Sequence, residues 1–284
     1  MPRPNLSPFT AGVLLLIFGA LSVQLGASIG TSIIPAVGVL GVVLARYSLQ
    51  ACVHIPLAWK HLRRARLADW RWGALVAVPL LTMNLTIYMA FSHIGVGLAV
   101  TIELMGPITL AVLTARSRPG WMAAGLAAVG MVLVTDPTGD VNVPGVLWSL
   151  AAAASWAFYL LATRKAGQQL EGLTPSAMAS VIGLTVLVPL NLLFTRPADL
   201  NPTVLLLAVL AGVLSSAIPY ACDLLALRRV PMNVASTMMS INPVTASMWG
   251  AIILGERFGA LEIAGLAIIC VANVLVVQAA RRPK

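Results

Sequence analysis

Apolar residues run along the chain in ten long blocks, at 9–29, 37–59, 72–92, 96–115, 119–135, 144–163, 174–195, 203–226, 233–254 and 259–279. A hydrocarbon core about 30 Å thick takes about 20 helical residues to cross, so each block predicts one membrane span. The breaks between blocks carry helix punctuation. Pro35, Asp136-Pro137, Thr174-Pro175, Asn201-Pro202 and Pro231 sit near the expected ends, where a helix must stop or restart. The pattern therefore predicts an all-α integral membrane protein of ten transmembrane helices.

Composition agrees. Of 284 residues, 59% are apolar and 10% charged, against about 25% charged in soluble domains. Ten spans and their short loops leave no intervening stretch for a soluble domain. The formal charge of +9 does not mark a nucleic-acid binder, because the basic residues punctuate apolar blocks instead of clustering on a polar surface. Cys52, Cys222 and Cys270 all fall inside apolar segments, as free buried thiols do and disulfide or metal frameworks do not. The block from Phe9 is long enough to span, so it is expected as the first helix and not as a cleaved leader.

The basic residues orient the helices, since Lys- and Arg-bearing loops stay cytoplasmic. With the N-terminus inside, fifteen of the eighteen fall in cytoplasmic segments: Arg3; Lys60, Arg63, Arg64, Arg66 and Arg71; Arg116 and Arg118; Arg164 and Lys165; Arg228 and Arg229; Arg281, Arg282 and Lys284. Outer loops hold only Arg196 and Arg257, and Arg46 lies within a span. An odd error in the helix count would destroy this alternation. Both termini, residues 1–8 and 280–284, are expected in the cytoplasm.

The two halves repeat. An offset of 133 residues superposes Gly12 on Gly145, Ser22 on Ser155 and Pro56 on Pro189. An offset of 136 places Ala99-Val-Thr101 on Ala235-Ser-Thr237 and Gly106-Pro107-Ile-Thr109 on Asn242-Pro243-Val-Thr245, and four inserted residues later Gly125 meets Gly265. Collinear matches with small drift mark a duplication, here of 9–136 into 144–279. Five helices per half is an odd number, so the halves enter the membrane from opposite sides. Inverted repeats are the architecture of secondary transporters that rock around a midplane site, although a duplication can also simply double a stable bundle. Gly120, Gly125 and Gly130 in the fifth span and Ser149, Ala153 and Ala157 in the sixth suit close helix packing.

A charge at the bilayer centre costs about 2.5–3.5 kcal/mol on insertion scales and needs a partner or a purpose. Arg46 and Glu103 both fall roughly 4 Å to the outer side of their span midpoints at 1.5 Å per residue, so they can share a layer. In one reading Arg46 holds a substrate carboxylate while Glu103 accepts a substrate ammonium or a coupling proton. In the other the two form a structural ion pair. Pro107, four residues past Glu103, predicts a kink that frees a carbonyl near that acid, and Met239 and Asn242-Pro243 hold the corresponding positions of the second half. Gln24, Ser28 and Ser32, Asn84 and Tyr88, Ser155 and Tyr159, Ser216, Tyr220 and Asp223, and Ser236, Ser240 and Ser247 form polar stripes that suit a small polar solute or interhelical hydrogen bonds. Asp223 has Arg228 and Arg229 within reach as ion-pair partners. His54, His61 and His93 are scattered, without the neighbours of a metal or hydrolytic centre. No nucleophile elbow, phosphate loop or HExxH motif is present, so neither an enzyme nor a cofactor is expected.

Ten helices in two halves, with Ser155-Trp156-Ala157 opening the second, resemble the EamA-type drug/metabolite transporter superfamily. Gln24-Leu-Gly-Ala-Ser28, Ala45-Arg46, Glu103-Leu-Met-Gly-Pro107, Ile218-Pro-Tyr220 with Asp223, and Met239-Ser-Ile-Asn-Pro243 followed by Leu254-Gly-Glu256 resemble its threonine/homoserine exporter branch. The resemblance implies export of small amino acids from a bacterial inner membrane, coupled to proton entry. Two positions depart from that branch: Asn242 stands where it has an acid, and Asp223 where it has a glutamate. Export of another metabolite or drug-like solute, and a non-transporting membrane enzyme or scaffold, are the competing readings.

Overall fold

The computed structural model describes residues 7–114, 118–135, 142–195, 200–239, 241–255, 259–261, 263–265, 267–268, 271–272 and 275. The expected break at Asp136-Pro137, the basic residues Arg3, Arg116, Arg196, Arg257, Arg281, Arg282 and Lys284, Ser240, Cys270 and much of the block at 259–279 lie outside them. Every regular element among the described residues is a helix, without a strand: α1 (Pro8–Ser32), α2 (Ile34–Leu62), α3 (Trp70–Ile94), α4 (Val96–Glu103), α5 (Met105–Thr114), α6 (Arg118–Thr135), α7 (Val143–Gln169), α8 (Thr174–Phe194), α9 (Pro202–Gly212), α10 (Ile218–Leu227), α11 (Met232–Met238) and α12 (Ile241–Trp249).

Prolines start several of the helices. Pro202, at one of the expected breaks, and likewise Pro8 and Pro144, occupy first turns, where the missing N–H has no intrahelical acceptor to serve. Beside each, a polar cap satisfies an orphan donor: Ser7 Oγ accepts from Thr10 N at 3.1 Å, Asn142 Oδ1 from Gly145 N at 3.1 Å and Asn201 Oδ1 from Val204 N at 2.9 Å. Gly38, at φ +71°, interrupts α2 just where the apolar block was expected to begin. Only glycine takes that backbone conformation without strain.

Three expected spans are not continuous α-helices. The block at 96–115 breaks at Leu104 into α4 and α5, and the block at 233–254 breaks between α11 and α12. In each case a proline, Pro107 or Pro243, sits in the first turn after the break, the one helical position that tolerates it. The expected kink is thus a full restart. The block at 203–226 contains a π-helical stretch, Val213–Ala217, between α9 and α10.

Among the described residues, six helical stretches, Pro8–Ser32, Ile34–Leu62, Leu67–Ile94, Val143–Gln169, Thr174–Phe194 and Pro202–Leu227, are long and apolar enough to cross a membrane. Their outward faces expose large side chains such as Leu57, Phe158, Leu192 and Phe194. Lipid, unlike water, imposes no cost on that exposure. Inside, α1 packs along α9, the π stretch and α10, while α3 packs along α7. Helix α2 lies against α8, α9 and the π stretch, and α3 also against α8. The short helices close the bundle: α4 and α5 rest on α7, α12 rests on α1, and the four pieces meet as α5 with α11 and α4 with α12.

Close approach is concentrated at a few glycines. A Cβ on Gly106 would run into the Ala153 carbonyl oxygen, so α5 and α7 touch backbone to backbone. Gly125, grouped with the packing residues in the sequence, is exposed, and a Cβ there meets no described atom within 4 Å. Gly106→Ala is therefore expected to destabilise the protein by about 1–3 kcal/mol, the usual cost of overpacking. Gly125→Ala should leave it within about 0.5 kcal/mol of wild type. Thermal unfolding of both variants in detergent micelles measures the contrast.

Candidate functional site

A cavity of about 70 Å³ opens between α1, α2, α3, α4, α7, α10 and α12. That is room for roughly five waters at about 15 Å³ of accessible space each, or a solute of a handful of heavy atoms. Its apolar wall is Leu16, Ala20, Val23 and Ala27 of α1, Met83, Ile87 and Phe91 of α3, and Trp156 of α7. Its polar wall is Gln24, Arg46, Asn84, Glu103, Tyr159, Tyr220, Asp223 and Asn242. Seven helices thus bring eight of the expected polar residues to one space.

Arg46, only 3% exposed, is held by groups from the π stretch and α10. Its Nε donates to Ser216 Oγ at 2.9 Å, and its NH2 donates to the Ser215 carbonyl at 2.7 Å and to Tyr220 Oη at 2.9 Å. The guanidinium also lies 5.1 Å from the Tyr88 ring centroid and 6.0 Å from that of Tyr220, within range of the attraction between a cation and a ring face. Tyr220 Oη meets the Asn84 amide as well, with the side-chain nitrogen at 2.8 Å and the oxygen at 3.1 Å. These partners offset the cost of burying a cation, and all of them are neutral.

The acids are differently placed. Glu103 is 7% exposed and lines the cavity without forming an ion pair with Arg46. The structural ion pair weighed in the sequence is absent. Asp223 also departs from its expected surface pairing. It turns into the cavity and accepts from Tyr159 Oη at 3.4 Å, while Arg228 is taken up by the carbonyls of Gly167, Leu170 and Gly172 and Arg229 by that of Leu225. The cavity therefore holds one cation and two carboxyl groups, none directly paired with another.

Across the cavity, Gln24 Nε2 donates to Asn242 Oδ1 at 3.0 Å. Asn242 Nδ2 donates to the Met239 carbonyl at 2.8 Å, the group that Pro243, four residues on, cannot serve. Other expected residues lie elsewhere. Ser28 is buried in α1 outside the cavity, with no hydrogen-bond partner among the described residues. Ser155 Oγ donates within its own helix to Ala151 O and faces an outer groove between α3 and α7. Tyr88 contributes its ring beneath Arg46 without lining the cavity, and Ser240 is outside the described residues. Phe91, Met83 and the Ser215 carbonyl belong to the site without standing out in the polar pattern of the chain. The carbonyl had one signal: Pro219, four residues on, lacks the N–H that would otherwise claim it.

A bundle of helices long and apolar enough to cross a membrane, closing on a small polar interior site, is an arrangement that suits a transporter. The EamA-like transporter family model matches residues 143–278, and the threonine/homoserine exporters RhtA of Salmonella typhimurium and of Escherichia coli K12 are each 30% identical over 274 residues, covering 94% of this chain and 91% of theirs. The chain belongs to the EamA-like transporter family, whose members are transporters and not enzymes. It is also 26% identical over 233 residues to the uncharacterised transporter YwfM of Bacillus subtilis, covering 78% of this chain and 79% of that one. A crystal structure 15% identical in sequence superposes with a TM-score of 0.77 over 95% of this chain and 98% of the other, so the fold is shared.

Tyr220→Phe removes the hydroxyl that serves both Arg46 and Asn84 and leaves them short of a buried partner. A loss of about 1–3 kcal/mol is expected, read as a lower melting temperature in micelles.

Proposed function

We propose that the protein is a secondary exporter of small amino acids of the threonine and homoserine kind, working by alternating access in a bacterial inner membrane and exchanging its substrate for protons. The observation that carries this reading is the cavity itself. A small zwitterion presents a carboxylate and an ammonium a few ångströms apart, and the cavity offers Arg46 for the first and Glu103 for the second, with the two protein charges not neutralising each other. Neutral amides at Gln24 and Asn242 face the same space and suit a hydroxyl. The small volume favours an amino acid over a drug-sized solute. The 30% identity to proteins named threonine/homoserine exporters supports both the substrate class and the outward direction.

Proton exchange follows from two carboxyl groups in one low-dielectric site. An ammonium and a proton competing for Glu103, with Asp223 beside Tyr159 as a second acceptor, link the movement of one to the return of the other.

In the same reading the chain is two inverted five-helix halves, 9–136 and 144–279, with ten spans and both termini cytoplasmic. Two features favour it. The breaks correspond under the 136-residue offset: the restarts at Met105 and Ile241 coincide, and the ends of α4 at Glu103 and of α11 at Met238 match to within one residue. The packing pairs also exchange under that relation: α3 with α7 matches α10 with α1, and α3 with α8 matches α9 with α2. Rocking of one half against the other then opens the shared cavity to each side in turn.

Cells overproducing the protein should hold less threonine and tolerate more of it in the medium. Glu103→Gln is expected to abolish both effects at unchanged membrane abundance; tolerance that survives this substitution removes Glu103 from the mechanism. For the orientation, single cysteines placed at Arg66 and at Leu200 in a chain lacking its own cysteines distinguish the two sides. An impermeant maleimide added to whole cells should label the second and spare the first.

A further inference from the structure

The π stretch Val213–Ala217 is held from outside its own helix. Its register directs the Ile218 N–H to the Val213 carbonyl, five residues back. The next residue, Pro219, has no N–H to offer either Leu214, five residues before it, or Ser215, four before it. Buried carbonyls must find donors, and side chains of two other helices supply them. Ser22 Oγ of α1 donates to Leu214 O at 2.6 Å, and Arg46 NH2 of α2 donates to Ser215 O at 2.7 Å. About two turns past Arg46 in α2, His54 Nε2 meets Ala217 O at 2.7 Å. A carbonyl only accepts, so Nε2 carries the proton and Nδ1 accepts from Ser176 Oγ at 2.8 Å, a hydroxyl that Gln50 Nε2 also approaches at 2.9 Å. Gly26 lets α1 close on the stretch, since a Cβ there would lie 2.5 Å from Ser215 N.

The grip on Arg46 matters for a ligand. A carboxylate takes a guanidinium in a fork, through either the NH1 and NH2 edge or the Nε and NH2 edge. Both forks need NH2, and both NH2 contacts are already spent on Ser215 O and Tyr220 Oη. A forked carboxylate must therefore displace one of them.

We infer that Ser22 and His54 are positioning residues for Arg46, holding the π stretch so that Ser215 O and Ser216 Oγ aim the guanidinium into the cavity, and that a substrate carboxylate displaces Ser215 O and releases the stretch. This inference rests on the reading of Arg46 as the carboxylate anchor. π-Helical turns recur at functional sites, and this one joins the substrate position to the helix that carries Tyr220 and Asp223. Occupancy of the site thereby becomes a change in backbone register, the kind of discrete two-state element that alternating access requires.

The test uses the purified full chain in vesicles of phosphatidylethanolamine and phosphatidylglycerol, with labelled threonine counterflow, together with hydrogen exchange of the backbone amides of 213–221. Ser22→Ala should raise KM about tenfold with kcat changed less than about twofold, and Ser22→Thr, which keeps the hydroxyl, should restore the wild-type value. Saturating threonine should raise exchange in 213–221 about threefold or more and leave α9 unchanged. An unchanged KM in Ser22→Ala, or exchange in 213–221 indifferent to threonine in a protein that transports it, overturns the inference. Should Ser22→Ala fail to fold, His54→Gln is read by the same criteria. Absence of threonine counterflow in the wild type overturns the functional reading instead, and the grip on the stretch is then judged without ligand: both variants must raise exchange in 213–221, and unchanged exchange overturns it.

Discussion

Burying one guanidinium in a membrane-spanning bundle constrains much of this molecule. Arg46 cannot be hydrated by lipid, and among the described residues no carboxylate lies within ion-pair reach of it, so its donors meet neutral acceptors. Helices ordinarily keep their carbonyls for themselves. Here a π register and Pro219 release two of them, and one goes to Arg46. Glycine at position 26 and the hydroxyl of Ser22 bring α1 onto the same stretch. The cation is thus stabilised without being neutralised, and it keeps its charge available to a ligand.

Proline organises the rest of the site in the same manner. Pro107 and Pro243 each lie in the first turn after a helix break, and each lacks the N–H that would serve a carbonyl four residues back, at Glu103 and Met239. In the second half the Asn242 side chain meets that carbonyl. In the first half glycine occupies the corresponding position and presses against Ala153. One break therefore displays an acid and the other an amide, and the two breaks face the same cavity.

Much of the site was legible in the chain, because charges and amides inside apolar blocks are few and costly. Arg46, Glu103, Gln24, Asn84, Tyr159, Tyr220, Asp223 and Asn242 were all conspicuous as polar residues in oily surroundings, and all line the cavity. Ser28 and Ser155 were equally conspicuous and do not. A hydroxyl can be satisfied by its own helix, as Ser155 is by Ala151, so its presence in a span says little about what it faces. Asp223 was misread for a related reason: nearness in sequence to Arg228 and Arg229 suggested a pairing, but those side chains turn to the carbonyls of loop and helix ends.

What the sequence determined by itself was the membrane character, the positions of the six long apolar helices and the identity of the groups too polar to be there by accident, because each follows from solvation energies that depend on composition and local order alone. Tertiary structure decided which of those groups meet. The separation of Arg46 from Glu103, the turn of Asp223 toward Tyr159 and the gift of the Ser215 carbonyl to Arg46 all depend on helix rotation and on a one-residue change of register. These are set by packing between segments far apart along the chain, 64 residues for Tyr159 and Asp223 and 169 for Arg46 and Ser215, and no local pattern records them.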